Sequence, residues 1–151
     1  MKTGILRIVW SAALIVMLGC ATSPGTGESP PSLDDLAATA VDELVGAYED
    51  RDVSGFMAMI SARYLEGYED LQTTLQDTLE TALSVQLEID PQRVWEAEGD
   101  KVFVDAGWSK TITRSTPPGT ETTSGRVTFI FIRYTSEVLK LLSQKGDPVF
   151  P

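Results

Sequence analysis

The spacing of hydrophobic residues predicts three amphipathic helices in the first half of the folded chain. Ser32 is followed three positions later by an aspartate, which is typical of a helix N-cap, and Pro31 disfavours an earlier start. Apolar residues then recur every three or four positions across Leu33–Tyr48. The same spacing predicts a short helix after Asp52 and a third helix over Tyr68–Leu83. The apolar faces of these three helices require a second layer of secondary structure to pack against.

From residue 84 onward the period changes to two, which predicts strands. Apolar and polar residues alternate over Ser84–Ile89, and Pro91 is expected to end this run. The segment Glu98–Asp100 predicts a turn between a strand over Arg93–Ala97 and another over Lys101–Arg114. This part of the chain is therefore expected to be an antiparallel hairpin.

Residues 115–125 are rich in Thr, Ser, Pro and Gly, which predicts a long polar loop. The next strand, Arg126–Tyr134, is apolar on both faces, so each face must be covered by other parts of the protein or by a partner. The last strand is predicted over Val138–Ser143. Helices followed by antiparallel strands predict an α+β fold, with three N-terminal helices packed on a curved, mostly antiparallel sheet of four to six strands.

The first nineteen residues have the layout of an export signal. Lys2 and Arg7 supply positive charge, and the apolar run Ile5–Leu18 is shorter than the about 20 residues needed to cross a bilayer as a helix. The end of this run, Gly19-Cys20, resembles a bacterial lipoprotein signal, in which the cysteine is lipidated and becomes the new N-terminus. The alternative is an ordinary cleaved signal with an incidental cysteine.

The lipoprotein interpretation divides the chain into three parts: a signal peptide over residues 1–19, the lipidated Cys20 with a flexible Pro/Gly/Ser/Thr linker over residues 20–32, and a domain over residues 33–151. The acyl chains would hold the protein to a lipid bilayer. By resemblance to sorting in Gram-negative cells, Ala21 indicates the outer membrane, facing the periplasm.

Composition excludes several classes of function. Removal of the signal leaves ten basic against 22 acidic residues, so no nucleic-acid partner is expected. Residues 34–80 hold twelve acidic residues and two arginines, which indicates a solvated acidic face. The chain has no histidine and one cysteine, which excludes Ser-His-Asp and Cys-His catalysis, ordinary zinc sites and intrachain disulfides. We predict no metal and no cofactor.

One segment has the beginning of a calcium-binding loop. Asp50–Gly55 places acids or hydroxyls at positions one, three and five and glycine at six, but Ser61 stands where a bidentate acid is needed. We therefore interpret Asp52 as the cap of the second helix.

The order of these elements resembles the nuclear transport factor 2-like superfamily, which also holds ketosteroid isomerases and SnoaL-type polyketide cyclases. The segments that carry the resemblance are Tyr48–Asp52, Tyr64–Leu71 and Leu141–Phe150, and it covers about residues 33–150. The resemblance implies a cone in which the helices close over a concave sheet around an apolar pocket. It also implies a homodimer through the outer face of the sheet, formed by Val127, Phe129 and Phe131 or by Ile130 and Ile132.

Enzymes of this superfamily use carboxylates, tyrosines and histidines inside the cone. Without histidine, the candidate pair is Asp105 with Tyr48 or Tyr64 as a hydrogen-bond donor. Strand alternation, however, places Asp105 on the face opposite Val104 and Trp108 unless a bulge intervenes. No catalytic residue is therefore assigned, and the pocket-lining candidates are Tyr48, Tyr64, Tyr68, Trp95 and Trp108.

Three functions remain open. The first is a membrane-anchored lipoprotein whose non-catalytic domain binds a small apolar ligand or an envelope protein. The alternative is a small lyase or isomerase that uses a carboxylate and a tyrosine in the cone pocket. The third is a structural envelope component whose cone is packed shut.

Overall fold

The computed structural model describes residues 30–97 and 99–151. The predicted signal peptide over residues 1–19, the predicted lipidation site Cys20 and most of the predicted linker lie outside the described residues. The elements follow the chain in the order α1 (Leu33–Glu49), α2 (Val53–Ala58), α3 (Tyr68–Glu80), β1 (Ala82–Ala97), β2 (Lys101–Ser115), β3 (Pro118–Arg133) and β4 (Leu139–Gly146).

The three helices pack on one face of a four-stranded sheet. The strand order is β1-β2-β3-β4, and every neighbouring pair is antiparallel. Helix α1 packs against β1, and α2 lies against both α1 and α3. The predicted α+β class, with three N-terminal helices on a curved antiparallel sheet, is confirmed. In the described part of the chain, no helix is both long enough and apolar enough to cross a bilayer.

Two helices begin at the predicted caps. The backbone N–H of Asp35 donates to Ser32 Oγ over 3.1 Å, and the Asp35 carboxylate accepts from the Ser32 backbone N–H over 3.2 Å. Hydrogen bonds from the side chain and then the backbone of Ser32 lower the pKa of Asp35. At α2, the N–H of Gly55 donates to Asp52 Oδ1 over 2.9 Å, which confirms the interpretation of Asp52 as a helix cap. No group of three metal-ligating side chains occurs among the described residues.

The prediction that Pro91 ends a strand is wrong. Strand β1 continues through Pro91 to Ala97, with a register shift between Pro91 and Arg93. Because β1 is an edge strand, a residue without a backbone N–H is tolerated there, and the extra residue of the bulge restores the alternation beyond it.

The prediction of a polar loop over residues 115–125 is also wrong. Strands β2 and β3 remain paired as far as Ser115 and Pro118, so the connection is only Thr116 and Pro117, whose peptide bond is cis. The hydroxyl groups of Thr111 and Thr122 lie 2.9 Å apart across the two strands. These residues are polar because the hairpin extends beyond the core into solvent, and threonine favours strands because it is β-branched.

The apolar core lies between the helices and the inner face of the sheet. The inner face of β3 contributes Val127, Phe129 and Phe131, all buried. On the opposite, outer face, Ile130 is buried within the single chain and Ile132 is half-buried. Of the two sets proposed for a dimer, only Ile130 and Ile132 therefore face outward, and the dimer itself stays a prediction.

Candidate functional site

A pocket of about 350 Å³ opens at the end of the core where the β2–β3 hairpin extends past the helices. We call it the Lys110 pocket. It is lined by α1 and α3, by the inward-facing residues of β2 and β3, and by the C-terminal segment over residues 148–151. The lining residues are Tyr48, Thr78, Trp108, Lys110, Ile112, Arg114, Glu121, Thr123, Pro148, Phe150 and Pro151.

The C-terminal segment reaches the pocket because the chain turns sharply after β4. Gly146 has φ +100°, and a side chain there would place Cβ 2.7 Å from the carbonyl oxygen of Arg126, so the turn needs glycine. The turn is held by two hydrogen bonds: the N–H of Asp147 donates to Arg126 O over 2.9 Å, and the N–H of Arg126 donates to Asp147 Oδ2 over 3.1 Å. Residues 148–151 are thereby directed back under the sheet.

A single buried side chain then fixes this segment. Gln144 Oε1 accepts from the N–H of Val149 over 3.1 Å and of Phe150 over 3.3 Å. Gln144 Nε2 donates to Phe150 O over 2.8 Å and to the Tyr64 hydroxyl over 3.3 Å. The amide side chain thus satisfies the backbone of the segment that forms one wall of the pocket.

Lys110 lines the pocket beside two aromatic rings. Its Nζ lies 5.5 Å from the ring centroid of Trp108 and 5.7 Å from that of Tyr48, and it donates a hydrogen bond to the carbonyl oxygen of Val149. Burial lowers the pKa of Lys110, the charge of Glu121 opposes this shift, and the charge of Arg114 adds to it. The lysine is therefore a partly desolvated cation held by a neutral carbonyl.

Sequence reasoning missed Lys110, although the signal was present. The inward row of β2 is Val102, Val104, Ala106, Trp108 and Ile112 at every second position. Lys110 falls in that row between Trp108 and Ile112, and Leu87 pairs with it from β1. A lysine at an inward position of an otherwise apolar row indicates a cation directed towards the helices.

The hydroxyl of Tyr48 is buried and has no hydrogen-bond partner among the described residues. The side chain comes from the last turn of α1 and packs edge-on against Phe150, with ring centroids 5.2 Å apart. Burial raises the pKa of Tyr48 to about 12, against the opposing charge of Arg114. At neutral pH the group is an uncharged phenol that can still donate a hydrogen bond.

An ion pair forms the outer rim of the pocket. Arg114 Nη1 lies 3.1 Å from Glu121 Oε2, and the two side chains are 29% and 63% exposed. Because the pair is largely solvated, it contributes at most about 1 kcal/mol to stability. Glu121 is the acidic side chain of the pocket lining, and its carboxylate is engaged by Arg114.

We expect Lys110→Met to change the pH dependence of stability. In the folded protein burial disfavours the ammonium, so the pKa of Lys110 is lower when folded than when unfolded. The wild-type free energy of unfolding should therefore rise, through this residue, as pH approaches the ordinary lysine value of 10.5. The methionine variant has no titrating group at this position, so its free energy of unfolding lacks this rise with pH. Urea unfolding at pH 7 and pH 10 should show its stability relative to wild type falling with pH, and a constant difference would contradict this assignment.

Of the predicted pocket residues, the structure brings Tyr48 and Trp108 together in the Lys110 pocket. The indole N–H of Trp108 donates to Asp147 O over 3.0 Å. Tyr64 is buried and accepts from Gln144, and burial, followed by the charge of Glu66, raises its pKa to about 12. Tyr68 lies at the start of α3, where its hydroxyl donates to Met57 O over 3.4 Å.

Trp95 and Asp105 lie on the outer face of the sheet. Trp95 stacks on Phe103 with ring centroids 5.2 Å apart, and the guanidinium of Arg93 lies 4.8 Å from its ring. Asp105 Oδ1 accepts from the hydroxyl of Thr128 over 2.7 Å. The bulge lies in β1 rather than β2, so it does not turn Asp105 inward. Asp105 and the two candidate tyrosines are therefore on opposite sides of the sheet.

Solved structures identify the fold. A nuclear transport factor 2-like superfamily protein from Salmonella enterica serovar Typhimurium matches with a TM-score of 0.62 at 13% identity, over 74% of this chain and 87% of that one. A ketosteroid isomerase-like protein from Erwinia carotovora matches with a TM-score of 0.62 at 15% identity, over 79% and 97%. A protein from Streptomyces avermitilis, described as a dehydratase of the same family, matches with a TM-score of 0.65 at 15% identity, over 79% and 98%.

The chain therefore has the nuclear transport factor 2-like cone fold. This confirms the fold that the resemblance of its sequence implied. Isomerases, dehydratases and ligand-binding proteins share this fold, and identities this low establish the fold alone. No protein-family model and no curated protein sequence matches the chain.

Proposed function

We propose that the folded domain binds a small molecule in the Lys110 pocket without transforming it. The observation that carries this proposal is the buried hydroxyl of Tyr48, a residue of the pocket lining, because this hydroxyl has no hydrogen-bond partner among the described residues. A buried donor without a partner costs about 1–3 kcal/mol, so a ligand acceptor at this position would recover that free energy. The apolar walls would supply the remaining binding energy.

The contents of the pocket favour binding over the lyase or isomerase alternative. That alternative needs an inward carboxylate beside a tyrosine, whereas Asp105 is hydrogen-bonded on the outer face. The acidic side chain of the pocket lining, Glu121, is more than half exposed, and one of its oxygens is already held by the guanidinium of Arg114. The isomerase-like and dehydratase neighbours share the fold at 15% identity, which transfers no reaction to this chain.

A pocket of this volume also weighs against the structural alternative in which the cone is packed shut. About 350 Å³ lies near the lower end of the range found for small-molecule sites. Polar groups converge on it from α1 and β2, as expected of a site that orients a ligand.

Native mass spectrometry of the protein purified from its own envelope tests the binding proposal. We expect a non-covalent adduct of a few hundred daltons, as judged from the pocket volume, that is released on denaturation. Tyr48→Phe should reduce its occupancy, whereas Tyr134→Phe, at an exposed tyrosine on the β3–β4 turn, should not. A chain that consistently carries no small molecule would contradict the proposal, and a retained protein would favour the envelope-protein alternative.

We further propose that the domain is tethered to the periplasmic side of a bacterial outer membrane through acylated Cys20. The charged start, the apolar run Ile5–Leu18 and the following Gly19-Cys20 support this proposal. The linker over residues 20–32 would then connect the lipid to the first helix, which begins at Leu33. Ala21 supports sorting to the outer membrane.

Cys20→Ser tests the anchor. We expect this variant to lose metabolic labelling by a fatty-acid analogue and to move from the membrane to the soluble fraction. Ser23→Ala, in the same linker, provides a control that should keep both properties. Retained label and membrane fractionation in Cys20→Ser would rule out the lipid anchor.

A further inference from the structure

The Lys110 pocket contains a charge pattern that specifies the chemistry of its ligand. The ammonium of Lys110 is partly desolvated, and within residues 30–97 and 99–151 no carboxylate oxygen lies within 4.0 Å of it. The second cation, Arg114, has its own partner in Glu121. One cationic donor is thus left, in the interior of the pocket, with only a neutral acceptor.

We infer that the ligand is a small carboxylic acid with a flat apolar body, an inference that rests on the proposed binding function. The carboxylate would lie between Lys110 and Tyr48, where the ammonium and the phenol supply two hydrogen-bond donors. Neither group has an anionic partner in the described chain, so one carboxylate would accept a hydrogen bond from each of them.

The donor set fits a carboxylate better than a phosphate. A carboxylate has two oxygens and a single charge, which match one ammonium and one hydroxyl. A phosphate dianion needs more donors, and phosphate sites usually supply them from backbone N–H groups at a glycine-rich loop or from several arginines. The pocket lining offers no glycine, and its arginine, Arg114, is already paired with Glu121.

The walls fit a flat apolar body. The indole N–H of Trp108 donates to Asp147 O, so the ring contributes its apolar surface to the pocket. Ile112, Pro148 and Phe150 complete the apolar part of the lining. The aromatic ring of a ligand could stack on such surfaces while its carboxylate is fixed at Lys110.

Binding would exchange one partner of Lys110 for another. The ammonium donates to the carbonyl oxygen of Val149, and a carboxylate is a stronger acceptor for an ammonium than a neutral carbonyl. Gln144 holds the backbone of Val149 and Phe150 independently of Lys110, so this wall of the pocket would keep its position when the ammonium turns towards a ligand. The C-terminal wall of the pocket is therefore in place before a ligand arrives.

Calorimetric titration of the purified protein with three matched probes tests the ligand class: 2-naphthoate, its neutral amide 2-naphthamide, and the cation 2-naphthylmethylammonium. At pH 7 we expect naphthoate to bind at least tenfold more tightly than the amide, and the cation to bind most weakly. Lys110→Met should lower the naphthoate affinity at least tenfold and leave the amide affinity unchanged. Tyr48→Phe should weaken naphthoate by a smaller factor.

Lys140→Met is the matched control, because Lys140 also lies over a tyrosine ring, 4.6 Å from the centroid of Tyr134, but outside the Lys110 pocket. It should bind all three probes as wild type does. Equal affinity for acid and amide, no effect of Lys110→Met, or no binding of naphthoate would each overturn the carboxylate class. The proposed binding function is judged separately by the retained adduct, so the two can fail independently.

Discussion

Phe150→Ala is expected to lower the free energy of unfolding by about 3–5 kcal/mol, the usual cost of truncating a buried phenylalanine. Phe150 is 1% exposed although it is close to the end of the sequence. Its ring centroid lies 4.8 Å from that of Phe56, 5.2 Å from that of Tyr48 and 6.1 Å from that of Phe129. Its removal would leave a cavity at the junction of α1, α2 and the sheet.

Equilibrium urea unfolding measures this effect, with Tyr134→Ala as the control. Tyr134 is 69% exposed, so its truncation should change stability by no more than about 0.5 kcal/mol. If Phe150→Ala cost less than about 1 kcal/mol, the C-terminal segment would not be part of the core and the wall of the Lys110 pocket would be mobile. Because Phe150 also lines that pocket, the variant should bind naphthoate more weakly as well.

Gln144→Leu is expected to destabilise the protein by at least about 3 kcal/mol. The leucine removes the acceptor of two buried backbone N–H groups, those of Val149 and Phe150, and the donor to Phe150 O. Each buried polar group that loses its partner costs about 1–3 kcal/mol, and the added apolar contact offsets only part of this. The same loss should release the C-terminal segment and weaken ligand binding.

Gln72→Leu makes the same chemical change on an exposed position of α3 and should be close to neutral. Amide hydrogen exchange distinguishes a local from a global effect: in Gln144→Leu, the N–H groups of Val149 and Phe150 should exchange faster than those of β2. Wild-type protection at both positions would show that other contacts order the segment.

The helical half could be predicted from the sequence because its signals are local. The capping box at Ser32, the cap at Asp52 and the apolar spacing within each helix all lie within a few residues of what they determine. The long β2–β3 hairpin could not be predicted from the sequence, because residues 115–125 have the composition of a loop. Their strand conformation depends on pairing with β2, which contacts such as that between Thr111 and Thr122 support.

The candidate site could be predicted only in part, because some of its residues are positioned by local signals and others by contacts between distant parts of the chain. Tyr48 and Trp108 could be expected to reach a pocket because each lies on the apolar face of its own element. Lys110 was overlooked because a lysine is usually solvated, even though strand alternation directs it inward. The return of the C-terminal segment could not be predicted, since it depends on hydrogen bonds from Gln144 to backbone groups that the sequence pattern does not reveal.

The position of Pro151 on the wall of the Lys110 pocket has a practical consequence for how the protein is prepared. An affinity tag or fluorescent fusion joined directly after this residue would be attached at the wall of the proposed binding site. Such a fusion would compete with ligands or exclude them, and its failure to bind would be misleading. Reporters for binding studies therefore belong on the N-terminal side of Leu33, in the predicted linker before the first helix.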